Sequence, residues 1–216
     1  PESGFFDQAF WLYIFSFYFG NLFKIFMSIS FDMDVKGGNS LFFMNFFKNP
    51  LRNASIVPSS ENSCRAMIED VDFSDVKTIV ELGPGNGVIT EKILRRCRKD
   101  AKVILIELED SYLDVLEKKF GDRVCIENVC ASRLEDVLAK HGVEKADLIV
   151  SALPFLDKEM MQKILYAIKR QTDQGAVFRF LTFIPPVMKR VYNSIEVEKK
   201  KFSPINIPPM WVYGVN

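Results

Sequence analysis

Beyond residue 75 the chain alternates between short, nearly continuous apolar runs and longer stretches in which apolar residues return every three or four positions. The runs "VKTIVEL" (76–82), "AKVILIEL" (101–108), "RVCIENV" (123–129), "ADLIVSAL" (146–153) and "GAVFRFLTFI" (175–184) predict buried strands. Between them, "VITEKILRRCRK" (88–99), "SYLDVLEKKFG" (111–121), "SRLEDVLAKHG" (132–142) and "KEMMQKILYAIKRQ" (158–171) carry a helical rhythm. Regular strand–helix alternation predicts parallel β-α-β units, hence an α/β fold with an open sheet covered by helices on both faces. Ligands in such sheets bind outside the carboxyl ends of the strands, where the strand order reverses. The loops that follow strands are therefore the places to look for chemistry.

The first 50 residues have a different pattern. Thirteen of the twenty phenylalanines fall there. In "FWLYIFSFYFGNLFKIFMSI" (10–29) the polar positions Ser16, Gly20/Asn21, Lys24 and Ser28 recur about every four residues, which on a helix makes one narrow polar stripe beside a broad aromatic face. Three fates fit such a helix: lying in a membrane interface, packing against the protein or a second copy, or spanning a bilayer. Asn21 and Lys24 near its middle make spanning costly, and the one-sided stripe suits the interface. Acidic Glu2 and Asp7 ahead of the apolar run do not fit a cleaved signal peptide. If the segment spans, Lys36, Lys48 and Arg52 place the rest of the chain in the cytoplasm. Residues 1–40 are thus read as an aromatic amphipathic N-terminal helix and 41–216 as the main domain. Within the latter, "LFFMNFFKNP" (41–50) predicts a short helix stopped at Pro50, and Ser59 or Ser60 an N-cap for a helix to about residue 70.

Lys plus Arg equals Asp plus Glu at 28 each over 216 residues, so no overall field draws the chain to nucleic acid, and none is expected as a partner. Cys64, Cys97, Cys125 and Cys130 form no CxxC pair, and His141 is the only histidine. That excludes the common Cys/His metal sites and reads as reduced thiols in a cytoplasmic protein.

The loop after the first strand, "VELGPGNGVIT" (80–90), holds Gly83, Gly85 and Gly87. Glycines there let the chain turn sharply and let a ligand touch the main chain ahead of a helix N-terminus. The spacing is neither the Walker phosphate loop nor the dinucleotide fingerprint. Glu107, at the tip of the second strand, can accept hydrogen bonds from both hydroxyls of a ribose. Glu81 lies inside the end of the first strand, where an acid is costly without a donor or cation, and a ligand amino group would supply both. One acid for ribose and one near an ammonium describe S-adenosylmethionine (SAM) better than NAD.

"VELGPGNGVITEKIL" followed by "IEL" resembles the class I SAM-dependent methyltransferases, and within them the ribosomal RNA adenine dimethylases and the bacterial phospholipid N-methyltransferases. "FFKNPLRNASIVPSS" (46–60), "SALPF" (151–155) and "INIPPMWVYGV" (205–215) are similar to segments of the phospholipid enzymes, whereas the RNA enzymes carry N-[LI]-P-[YF] where "SALPF" stands. The resemblance covers about residues 42–216. It implies a Rossmann-like, mostly parallel seven-stranded sheet, with SAM held by Glu81, Gly83, Gly85, Gly87, Glu107, Leu108, Cys130, Ala131 and Ser151. It also implies that Ser151, Leu153, Pro154 and Phe155 form the turn at which the methyl acceptor is held. "NVCAS" departs from the family's G-D-A: Cys130 stands where an Asp accepts from the adenine amino group, and a thiol is a poor acceptor. The Ala131 amide with apolar walls, or Asn128, would then serve instead.

The resulting expectation is SAM-dependent methylation of a phospholipid headgroup amine such as that of phosphatidylethanolamine, or of an ornithine-type lipid. The enzyme would sit peripherally on the inner face of the membrane through its N-terminal helix, with a homo-oligomer left open. The alternatives are an RNA adenine N6-methyltransferase and a non-catalytic methyltransferase-like interaction protein.

Overall fold

The computed structural model describes residues 64–153, 158–182, 185, 191–203 and 210–216. All of them fall in the unit Leu51–Asn216. The predicted N-terminal helix (1–40), the short helix before Pro50, the proposed caps at Ser59 and Ser60, and Pro154 and Phe155 lie outside the described residues.

Seven strands form one sheet: β1 (Thr78–Leu82), β2 (Lys102–Ile106), β3 (Cys125–Glu127), β4 (Leu148–Ser151), β5 (Val177–Thr182), β6 (Glu198–Ser203) and β7 (Met210–Val215). The helices between them are α1 (Val88–Arg96), α2 (Asp110–Phe120), α3 (Leu134–Lys140) and α4 (Lys158–Thr172). The strand order is β3-β2-β1-β4-β5-β7-β6. β7 alone runs against its neighbours β5 and β6. The chain moves outward from β1 through β2 to β3 and then returns to place β4 on the other side of β1. The order therefore reverses between β1 and β4, and the carboxyl ends of these two strands are where sheets of this kind bind ligands.

The apolar runs are strands because both faces are covered. Alternate residues divide between two cores: Val80, Leu82, Ile104, Ile149, Phe178 and Phe180 pack beneath α3 and α4 with Tyr192 and Ile195. Ile79, Val103, Leu105, Leu148 and Val150 pack beneath α1 and α2 with Met67, Ile68 and Val71. Burial on both faces removes the polar alternation of a half-exposed sheet.

Two expectations change. The helix expected to reach about residue 70 ends earlier: among the described residues of this stretch Cys64–Ala66 is helical, and turns follow, with Ile68 N donating to Arg65 O and Val71 N to Ile68 O. β6, "EKKKFS", was not foreseen, because an edge strand need not be apolar and its pairing with β7 shifts register between Lys199 and Lys201.

A buried arginine ties the far side of the sheet together. Arg179 is 1% exposed and donates to Phe178 O, Val215 O, Asn216 Oδ1 and the Asp70 carboxylate. Among the described residues no helix is long and apolar enough to cross a membrane.

Candidate functional site

The glycine loop leaves β1 with three left-handed residues: Gly83, Gly85 and Gly87 have φ of 71°, 56° and 78°. The three are not equivalent. A Cβ on Gly83 would lie 3.0 Å from Leu153 Cδ2, so this glycine lets the loop pack beside the turn after β4. A Cβ on Gly87, the N-cap of α1, would lie 2.4 Å from the Phe120 ring, so this glycine admits α2. A Cβ on Gly85 would meet nothing within 4 Å. Of the three, only Gly85 faces space that the described residues leave open.

Glu107 follows β2 and is 7% exposed. Its Oε2 accepts from Gly85 N at 2.9 Å and its Oε1 from Glu109 N at 2.9 Å. The carboxylate thus bridges the glycine loop and the start of α2. Both oxygens already have a main-chain donor, and each keeps a lone pair for a further one such as a ribose hydroxyl. Asn128 Nδ2 donates to Glu107 O at 3.1 Å and Leu108 O at 3.4 Å, bracing the end of β2 and leaving Asn128 Oδ1 as an acceptor. Leu108 itself is 58% exposed, an apolar side chain held out at the strand end.

Glu81 is fully buried on the α1 face of β1. Its Oε2 accepts from the Thr90 hydroxyl at 2.6 Å, whereas its Oε1 has no hydrogen-bond partner. Burial pushes the carboxyl up to about 7; the Thr90 hydroxyl opposes this, and the charge of Glu107 adds to it. A buried acceptor without a donor is costly, and a ligand ammonium relieves that cost.

At the ends of the next strands, Cys130 caps a 3-10 turn (Ala131–Arg133) and accepts from the Ser132 hydroxyl through its sulfur at 3.2 Å. Ala131 is buried beneath it. Ser151 ends β4 in register with Leu82 and Phe180 and is 2% exposed. Ala152 N donates to Leu82 O at 3.0 Å, which fixes the turn to the end of β1.

The described residues predicted to serve a site thus fall into two groups. Gly85 and Glu107 are joined by a hydrogen bond with Leu108 next in the chain, and Gly83 packs beside Leu153 in the turn that follows Ser151; Glu81 lies within β1, and Cys130 and Ala131 follow β3. Gly87 shapes the loop by admitting Phe120. Sequence reasoning missed Thr90, the hydrogen-bond donor to Glu81, and Tyr192, whose ring stacks on Phe180, the cross-strand partner of Ser151. The signal for Thr90 was a hydroxyl in the first turn of a helix facing an acid in the strand before it; Tyr192 had none. Among the described residues no group of three His, Cys, Asp or Glu side chains is arranged to hold a metal ion.

The fit to SAM can be tested on this geometry. An orphaned buried carboxylate oxygen suits an ammonium, a bridged carboxylate with spare lone pairs suits a ribose, and an open face at Gly85 admits a ligand to the main chain. The residues fit.

No family model matches the chain. It is 31% identical over 178 residues to the ornithine lipid N-methyltransferase of Singulisphaera acidiphila, covering 80% of this chain and 93% of that protein. It is 27% identical over 111 residues to ribosomal RNA small subunit methyltransferase A of Mycoplasma mycoides, covering 50% of this chain and 40% of that one. Among solved structures, a SAM-dependent methyltransferase from Aquifex aeolicus superposes with TM-score 0.53 at 11% identity, over 73% of this chain and 92% of the other. Fibrillarin from Aeropyrum pernix with natively bound SAM superposes with TM-score 0.54 at 13% identity, over 72% and 76%. These structural likenesses concern the fold.

Proposed function

Because the chain belongs to the SAM-dependent methyltransferase family that includes the ornithine lipid N-methyltransferase of Singulisphaera acidiphila, we propose that it methylates the amine of a membrane-lipid headgroup. Phosphatidylethanolamine and ornithine lipid are the two acceptors of that chemistry to test first. The observation that carries the lipid reading is the 31% identity to that enzyme over 93% of its length; Glu81, with its unpartnered Oε1, and the open face of Gly85 support the SAM half of it.

SAM supplies an electrophilic methyl group on a sulfonium. The work left to the chain is binding, orientation and exclusion of water. Glu81 would hold the ammonium, and Glu107, already held by the amides of Gly85 and Glu109, would hold the ribose. Because those amides fix the carboxylate before any ligand arrives, little ordering cost remains on binding. Ser151, Ala152 and Leu153 form the described part of the turn at which the amine is held. An ammonium headgroup must lose a proton before attack, and bulk water serves as the base in this reading.

The N-terminal segment completes the proposal. Its aromatic face with Lys24, Lys36, Lys48 and Arg52 nearby suits the cytoplasmic surface of an anionic bilayer, where the acceptor headgroup lies. Sedimentation with anionic liposomes, comparing the full chain with one beginning at Ser40, tests this; equal binding removes the membrane role.

The similarity to ribosomal RNA methyltransferases supports a second reading, in which the acceptor is an RNA adenine. Transfer of labelled methyl from SAM to phosphatidylethanolamine or ornithine lipid in mixed micelles, against transfer to RNA, decides between them. Label in RNA alone overturns the lipid reading, and failure of calorimetric SAM binding overturns both in favour of a non-catalytic interaction protein.

A further inference from the structure

The far end of the sheet carries an aromatic pair that neither the core nor the cofactor loop uses. β6 runs parallel to β5, because both are antiparallel to β7 between them, so β6 ends at the same edge of the sheet as β4 and β5. Ser151 lies opposite Phe180, and two residues further toward that edge Thr182, Trp211 and Phe202 stand in one row. Two residues of strand are about 7 Å, so the row extends past the level at which the turn after β4 begins. The Phe202 and Trp211 rings lie 5.0 Å apart at 33°, and Trp211 packs against the buried cluster that holds Phe180 and Tyr213. Phe202 itself is 43% exposed. An aromatic anchored on the core at one side and bare at the other marks a contact surface.

The strand that presents it is basic. Lys199, Lys200 and Lys201 precede Phe202; Lys200 is paired with Glu198 and Lys201 with Glu69, whereas Lys199 is exposed and has no ion pair among the described residues. Three occupants suit an exposed aromatic beside lysines: a second copy of the chain, a nucleic acid and an anionic bilayer. Pairing of a second copy with the edge of β6 is opposed by the lysines and by the register shift between Lys199 and Lys201, both of which deter strand addition. A nucleic acid draws its affinity from several neutralised phosphates, and two of these three lysines are already matched by carboxylates. A bilayer interface takes up the ring itself and needs few cations beside it. We propose that Phe202, Trp211 and Lys199 form a membrane-contact surface, with Phe202 entering the headgroup region of an anionic bilayer. The choice of a bilayer rests on the lipid-amine reading above, and the surface adds to the N-terminal segment a contact within the unit Leu51–Asn216 itself. Its consequence is orientation. Contact through this row turns the carboxyl ends of β4 and β5 toward the lipid, which brings a headgroup amine to the turn after Ser151.

The test uses the full chain with one tryptophan at a time. The chain has two, Trp11 and Trp211, and replacing both by phenylalanine gives a background without tryptophan emission. Into it goes Phe202→Trp or, as a control, Tyr166→Trp, at a residue 64% exposed on α4. Vesicles of phosphatidylglycerol and brominated phosphatidylcholine quench a tryptophan that reaches the acyl boundary; we expect quenching at position 202 and none at position 166. In the otherwise wild-type chain, Phe202→Ser should weaken sedimentation with vesicles of the same composition about fivefold, as withdrawal of a half-exposed ring from the interface allows. Lys199→Glu should weaken it about tenfold on these anionic vesicles and leave sedimentation with phosphatidylcholine vesicles unchanged. Urea unfolding shows that each variant is folded, and calorimetric SAM binding should be the same in all. The inference is overturned if position 202 is not quenched, if both positions are quenched alike, or if Phe202→Ser sediments as the wild type does. Emission at position 202 that responds to RNA and not to vesicles overturns it in favour of a nucleic acid, and emission that responds only to protein concentration in favour of a second copy. Quenching needs no turnover, so the two readings fail separately. A wild type that methylates lipid while position 202 stays unquenched removes this inference alone, and quenching at position 202 in a chain that methylates no lipid removes the lipid reading alone.

Discussion

Replacing Gly85 by alanine separates what the glycine does for the fold from what it does for a ligand. Gly85 has φ of 56°, and a Cβ there would meet nothing within 4 Å. The cost to the folded chain is therefore conformational, about 1–2 kcal/mol for an L-residue in the left-handed region. Reduced freedom of the unfolded chain offsets about 0.4–1 kcal/mol of that cost, at Gly85 and at any other glycine alike. Gly142, in the turn after α3, has φ of 65° and also meets nothing within 4 Å, so Gly142→Ala should be destabilised equally in urea. The two variants diverge on ligand. On the proposed placement of SAM against Gly85 the new methyl would take the ligand's space, and the loop cannot retreat without breaking the 2.9 Å bond from Gly85 N to Glu107 Oε2. A hydrogen bond to a charged acceptor is worth roughly 1.5–3 kcal/mol, so calorimetric SAM affinity should fall about 10- to 100-fold in Gly85→Ala. Gly142→Ala should bind as the wild type does. Wild-type affinity in Gly85→Ala, or an equal loss in Gly142→Ala, would refute the placement of the ligand against this peptide.

Four further outcomes follow from the same geometry. Glu81 is held near 7 against an ordinary 4.5, so between those values the folded chain keeps a proton the unfolded chain has released. Its contribution is full below the unfolded value and is lost as pH rises through about 7, a fall on the order of 3 kcal/mol; urea titrations from pH 4 to 8 should show this slope in the wild type and not in Glu81→Gln. Gly87→Ala should destabilise the fold by about 2–3 kcal/mol, since the Phe120 ring must move. A Cβ on Gly214 would lie 1.9 Å from Phe178 O and 2.9 Å from Arg179, so Gly214→Ala should cost at least about 3 kcal/mol in the same assay while the cofactor loop is untouched. Cys130→Asp installs a strong acceptor at the end of β3 and should tighten SAM several-fold by calorimetry, as one net hydrogen bond of about 1 kcal/mol allows; unchanged binding would place the adenine elsewhere.

What could be read ahead of the structure follows a physical rule. Strands buried on both faces advertise themselves as apolar runs, which is why β1, β2, β4 and β5 were foreseen within a residue or two of their cores. β6 was not, because "EKKKFS" owes its conformation to pairing with β7 rather than to a buried face of its own. The site shows the same division. Gly85 and Glu81 stand out because each is costly in its element unless something else is present: a glycine whose missing side chain no described protein atom fills, and an acid inside an apolar strand. Thr90 and Tyr192 are ordinary residues in their positions, a threonine in a helix and a tyrosine in a turn. They acquire a role only when α1 is laid against β1 and the Tyr192 ring against Phe180. A single sequence thus exposes residues that are locally costly, while the partners that make those residues affordable depend on tertiary contacts. The unpaired Oε1 of Glu81 is the one cost at this site that no described protein group offsets, and for that reason it calls for a donor from a ligand.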